Sequence, residues 1–234
     1  MSGPLKVEIY SDIACPWCYV GERRFARALA ALPEGTSVEV VFRPFQLDPT
    51  LPETPVPLRE HLQDKFGAHL DAVLRQTAAT AAADGLTLRF ELAQAVNTFA
   101  AHRLLWLAEH EGGSAVQRAL AERLFEAHFT HGANVADLAV LEDLAASVGL
   151  DRARVRAYLA SDEGVDDVRR AMAQATPLGI RAVPTFVFNG QYAVQGAQPT
   201  STFLQVLESL QHEMNAPADA DAAAEACADK ACAV

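Results

Sequence analysis

Apolar and polar positions alternate at the start of the chain. Val7-Glu8-Ile9-Tyr10-Ser11 has a period of two between polar turn formers, which predicts a strand. Asp12-Ile13-Ala14 reads as a short loop. A helical spacing then runs from Pro16 to Ala31, with the proline in the first turn, where its missing N–H costs nothing. Leu32-Pro33-Glu34-Gly35 stops that helix, and the β-branched run from Val38 to Phe45 predicts a second, buried strand. The default for such a β-α-β opening is a parallel pair with a right-handed crossover. Pro49, Pro52, Pro55 and Pro57 then mark a boundary. Apolar residues recur near the helical period through 58–84, 94–111, 115–129, 138–148, 152–160 and 162–175. Stops fall at Asp84-Gly85, Gly112-Gly113, His131-Gly132 and Gly149, and no strand is expected in this block. Strand character returns at Pro184–Phe188. Asn189-Gly190 is a hairpin turn, Tyr192–Val194 the partner strand, and Pro199–His212 a last helix. From Asn215 to Val234 the chain is mostly alanine with Asp219, Asp221, Glu225 and Asp229; it has little to bury and reads as a flexible or weakly helical tail.

The two ends of the chain thus give β-α-β and β-β-α around a helical block. This order predicts the α/β class, a thioredoxin fold interrupted by a large all-helical insertion. Residues 1–48 and 176–214 form the discontinuous thioredoxin-like part, 49–175 the insertion and 215–234 the tail.

Composition narrows the partners. Half of the 234 residues are hydrophobic, enough for a sizeable core, and the formal net charge is −11. An acidic surface repels phosphate backbones, so no nucleic-acid partner is expected. There is no polybasic membrane anchor, no apolar run near the ~18 residues a bilayer requires, and no secretory pattern at the start of the sequence. The expected location is the cytoplasm. In such a reducing compartment four cysteines fit chemistry better than a disulfide scaffold. They fall in two close pairs, Cys15/Cys18 and Cys227/Cys232.

Cys15-Pro16-Trp17-Cys18 opens the first helix directly after a strand. Thiol–disulfide exchange needs one thiolate to attack and a second thiol to resolve the mixed disulfide. The helix start supplies unpaired N–H groups and positive potential, both favouring a thiolate. Cys15 is therefore the expected nucleophile and Cys18 the resolving thiol. Pro16 stiffens the turn, and Trp17 offers a flat apolar surface without charge, which predicts a milder oxidant than a basic dipeptide would give. Val183-Pro184-Thr185 opens the strand after the helical block, a place where a cis bond is allowed at Pro184; the resemblance to thioredoxin-like folds implies that this proline lies beside the dithiol and that the main chain before it, at Val183, pairs with a substrate strand. The competing reading of the CxxC is half of a zinc site, made less apt by the strand-to-helix context and the intervening proline.

The chain resembles the DsbA family of thioredoxin-like oxidoreductases, and within it the cytosolic FrnE-type branch. The resemblance rests on Tyr10–Gly21, on Asn97-Thr98-Phe99-Ala100-Ala101-His102-Arg103, and on Gly179–Phe186. It implies a helical domain over the active site and protein thiols or disulfides as substrates, with no cofactor; glutathione is a further candidate partner. Kappa-class glutathione transferases and 2-hydroxychromene-2-carboxylate isomerases resemble the same fold with a serine in place of Cys15, and form the alternative reading. A zinc-stabilised binding module is the third.

Cys227 and Cys232 are a CxxxxC pair, read as a second redox centre exchanging with the first. A disordered end with incidental thiols is the alternative, and pooling all four cysteines around zinc the third reading. Asp12 is expected to cap the active-site turn, His102 and Arg103 to serve packing or surface roles, and His128, His131 and Asn134 to form a polar loop. Trp106, Leu105 and Phe99 read as a core stripe.

Overall fold

The computed structural model describes residues 4–215. In chain order the elements are β1 (Leu5–Ser11), α1 (Pro16–Ala30), β2 (Val38–Pro44), β3 (Val56–Pro57), α2 (Leu58–Phe66), a single 3₁₀ turn (Gly67–His69), α3 (Leu70–Ala83), β4 (Gln94–Ala95), α4 (Phe99–Phe129), α5 (Leu138–Ser147), α6 (Arg152–Leu159), α7 (Val165–Ala173), β5 (Thr185–Phe188), β6 (Tyr192–Gln195) and α8 (Thr200–Asn215). The main sheet has the order β2-β1-β5-β6. β1 and β2 are parallel, while β1–β5 and β5–β6 are antiparallel. This is a thioredoxin fold with a large helical region, as the ends of the sequence predict.

The alternation in β1 sends Leu5, Val7 and Ile9 into the main core and Tyr10 to the opposite face, where it meets Val187, Ala175 and Ile180. On the main face Phe25 of α1 packs against Phe186, Phe188 and Phe203, with ring centroids 5.2, 6.2 and 5.3 Å away. One aromatic knot thereby joins α1, β5 and α8 beneath the active-site end of the sheet. The free edge of β2 is covered from α4. The Gln117 carboxamide accepts from Phe42 N–H at 2.8 Å and donates to the Phe42 carbonyl at 3.0 Å, satisfying groups an edge strand would otherwise bury unpaired.

The helical block departs from expectation in three places. Val56–Pro57 and Gln94–Ala95 pair as a two-residue antiparallel ladder, so the block is not strand-free and 94–98 is not helix. Short ladders of this kind leave no periodic signal. Gly67, at φ +51°, divides the segment expected as one helix over 58–84. Helix α7 is shorter than 162–175, beginning after Gly164. The stop at Gly112-Gly113 is present: Gly113 has φ +80° and ψ 177° and breaks α4 there. Arg103, on the first part of α4, donates to the carbonyls of Tyr158, Leu159, Ser161 and Glu163, closing the C-terminal end of α6.

Candidate active site

Cys15 is the N-cap of α1, in extended conformation at φ −97°, ψ 110°, and Pro16 is the first helical residue. The preceding loop is a closed turn, since Cys15 N–H donates to the Asp12 carbonyl at 3.0 Å. The next turn starts from the Cys15 carbonyl, which accepts from Cys18 N–H at 3.0 Å. Both cysteines are free thiols and both are buried. Trp17, between them, is 39% exposed and rims the site.

The chain brings Val183 and Pro184 to this turn from 168 residues away. The Cys15 thiol points to the Val183 carbonyl at 3.7 Å, and the Val183–Pro184 peptide is cis. Gly21 makes that approach possible. A Cβ there would lie 3.0 Å from Pro184 Cγ and 3.4 Å from Phe186 Cζ, so α1 packs directly on the proline. The sequence offered no reason to single Gly21 out beyond its place in the motif.

The two thiols are not equivalent. Burial pushes the Cys18 thiol well above its ordinary range, and its hydrogen bond to Cys15 and the Cys15 charge act in the same sense; the Ser11 hydroxyl and the Asp12 main chain oppose them. Cys18 is thus the thiol of the pair that burial keeps protonated.

Asp12 does more than cap. It is 1% exposed, and its carboxylate accepts from Leu47 N–H at 2.7 Å, from Ala14 N–H at 3.4 Å and from His102 Nε2 at 3.2 Å. Burial alone would raise its pKa; the His102, Leu47 and Thr98 contacts outweigh it and hold the group below the usual carboxylate range. The carboxylate therefore clamps the dithiol turn to α4 and to the loop after β2. His102 belongs to this site. The pairing spans 90 residues, and nothing local in the sequence reveals it. Arg103, by contrast, has the packing role expected.

His128 corrects another expectation. It is not in a polar loop but buried at 1% exposure against Phe129, with neither ring nitrogen hydrogen-bonded in good geometry. Burial lowers its pKa to about 4, only partly offset by the Asp12 charge and the Ala133 main chain. Trp106 and Phe99 are half-buried rather than core; Trp106 stacks on His110 at 4.5 Å, while Leu105 is buried as expected. Cys227 and Cys232 lie outside the described residues. Among the described residues no group of three or more His, Cys, Asp or Glu could hold a metal ion.

A cavity of about 570 Å³ opens beside Asp12 and Ala14, walled by Leu51, Leu58, Leu62 and Val96 with Lys65 at its margin. It lies between the dithiol turn and the helical region.

A thioredoxin fold with a dithiol at its first βα turn, facing a cis-proline, defines a class of thiol-active proteins. The chain belongs to the family of DSBA-like thioredoxin domains, whose model matches residues 6–208. It is 40% identical to a probable DsbA oxidoreductase of Streptomyces coelicolor, with a TM-score of 0.82 and coverage of 91% of this chain and 92% of that one. It is 28% identical to the uncharacterised protein YwbO of Bacillus subtilis, covering 88% of this chain and 96% of that one. The fold also matches a cytosolic disulfide reductase of Pseudomonas aeruginosa, DsbM, at 21% identity and TM-score 0.62, over 89% of this chain and 99% of that one; that protein has been solved with GSH as well. No helix among the described residues is long and apolar enough to cross a membrane.

Proposed function

We propose that the protein is a cytoplasmic thiol–disulfide oxidoreductase acting on protein substrates, with Cys15 as nucleophile and Cys18 as resolving thiol. The observation that carries this reading is the position of Cys15. Its sulfur sits at the N-terminus of α1, 3.7 Å from the Val183 carbonyl beside Pro184, with a second thiol one turn behind it. In the reductive direction the Cys15 thiolate attacks a substrate disulfide and releases one substrate thiol. Cys18 then attacks Cys15, releasing the second and leaving the Cys15–Cys18 disulfide. In the oxidative direction the same steps run backwards, and the reduction potential of the pair sets which predominates. Val183 main chain would align the substrate segment by strand-like pairing. Pro16 and Trp17 would shape the rim.

Two extensions belong to the same proposal. Glutathione is a candidate co-substrate, supported by the fold shared with a reductase solved with GSH. Cys227 and Cys232 are a candidate second dithiol that exchanges with the first. A transferase or isomerase chemistry is not favoured, because two thiols, rather than a lone hydroxyl, occupy the turn.

The test is insulin reduction, together with oxidation of a reduced protein, by the wild type and Cys15→Ser. The proposal predicts loss of both activities in the variant; equal rates would refute it.

A further inference from the structure

Cys18 must lose a proton before it can attack Cys15, yet its sulfur is buried at 2% exposure. The proton needs a way out through the interior. Behind Cys18 stands Ser11, the last residue of β1, 4% exposed. Its hydroxyl faces the Cys18 thiol and has no hydrogen-bond partner of good geometry. A buried hydroxyl left in this state is uncommon. Ser11 also lines a small enclosed cavity whose wall includes His102, Arg43, Ile13 and Trp106. The cavity volume is about 10 Å³, the size of one water; its wall is mostly apolar, and Ser11, His102 and Arg43 are side chains in it that can hydrogen-bond that water. Beyond it, His102 Nε2 meets the Asp12 carboxylate at 3.2 Å.

We propose that Ser11, one water in this cavity and His102 form the path along which the Cys18 thiol gives up its proton. The path rests on the reading of Cys18 as resolving thiol and assigns that step its proton acceptor. Cys15 already carries the substrate sulfur as a mixed disulfide. The Cys18 S–H proton passes to the Ser11 oxygen as the Ser11 proton passes to the water, and a water proton moves to the free nitrogen of His102. The Cys18 thiolate attacks Cys15 sulfur, the Cys15–Cys18 bond forms, and the substrate leaves as a thiolate with the bonding pair. Asp12 supports the imidazolium formed for that instant. In the reverse direction the proton returns along the same chain to Cys18.

The charged and titratable groups around the path come from every wall. Arg43 on β2 lines the cavity and is held by Glu8 and Glu109. Asp12 and Cys15 lie in the turn, and His128 on α4 is kept neutral by burial. Arg43 is already engaged by two carboxylates and has no proton to accept. His102 is the wall residue able to take one up.

The test follows the two thiols separately. In full-length chain carrying Cys227→Ser and Cys232→Ser, reduced protein is mixed with 5,5′-dithiobis(2-nitrobenzoate) in stopped flow. The first release of nitrothiobenzoate reports Cys15 attack, and the second reports Cys18 attack on the mixed disulfide. Ser11→Ala is expected to leave the first phase unchanged and slow the second roughly 10-fold or more. Ser11→Thr, which keeps a hydroxyl, restores it. His102→Gln keeps a donor for Asp12 but cannot carry the proton, so the second phase loses the pH inflection and the solvent deuterium effect of the parent. A second phase in Ser11→Ala and His102→Gln with the parent's rate, pH profile and isotope effect would overturn the path. Failure of the parent to release a second equivalent would instead overturn the dithiol reading itself.

Discussion

Replacing Asp12 by Asn isolates what the buried carboxylate contributes. The side chain keeps its shape, but one acceptor oxygen becomes a donor. Two donors face the carboxylate at short range, Leu47 N–H at 2.7 Å and His102 Nε2 at 3.2 Å. The amide oxygen can serve one of them, and the other is left buried against an NH₂ group. A lost hydrogen bond to a charged group with a stranded partner corresponds to about 2–3 kcal/mol. At roughly 2–4 °C per kcal/mol for a domain of this size, Tm should fall by about 5–10 °C. The pH dependence has a definite sign. The folded-state pKa of Asp12 is depressed, so its contribution is complete above the unfolded value near 3.9 and is lost as pH falls through the folded value. The gap between wild type and Asp12→Asn should be full at pH 7 and shrink below about pH 4. Urea denaturation at pH 7 and in acid measures both points. A gap under about 0.5 kcal/mol at pH 7, the range of an ordinary surface substitution, would refute the reasoning. So would a gap that acid leaves unchanged.

Other substitutions probe neighbouring parts. Wild type should lose up to about 3 kcal/mol as pH falls from 6.5 towards 4, because unfolding lets His128 take up a proton that its buried site refuses; His128→Phe should remove that slope and keep neutral-pH stability, as urea midpoints across this range will show. Arg103→Ala strands four carbonyls at the end of α6 and should cost about 3 kcal/mol or more, with Arg103→Lys recovering only part in thermal denaturation. Gly21→Ala gains about 1 kcal/mol of helix propensity but pushes on Pro184 from 3.0 Å; kcat/KM for a protein disulfide should fall while the alkylation rate of Cys15 stays as in the wild type.

The parts visible in the sequence are those with local causes. A period of two made β1, and Asn189-Gly190 made the β5–β6 turn, where both residues have positive φ, +50° and +69°. The dithiol at a strand-to-helix junction announced the site, and the proline before β5 announced its neighbour. The parts hidden from it are set by distant partners. Asp12 and His102 are unremarkable until the fold puts them 3.2 Å apart. His128 sits near a helix end in the sequence, close to His131 and Asn134, yet α4 turns it into the core. The β3–β4 ladder is two residues long on each side, too short for any periodicity to register. Gly67 resembles any tolerated helical glycine until its φ is known. Long-range contacts decide these positions, and local pattern carries no record of them.

The central claim is that Cys15 attacks substrate and Cys18 releases it. Trapping tests it most directly: Cys18→Ser protein is incubated with a disulfide-bonded protein substrate, quenched in acid and mapped by peptide mass spectrometry without reductant. The account predicts a mixed disulfide accumulating on Cys15, and none in the Cys15→Ser, Cys18→Ser double variant. An adduct absent from Cys15, with substrate disulfides still turned over, would contradict it.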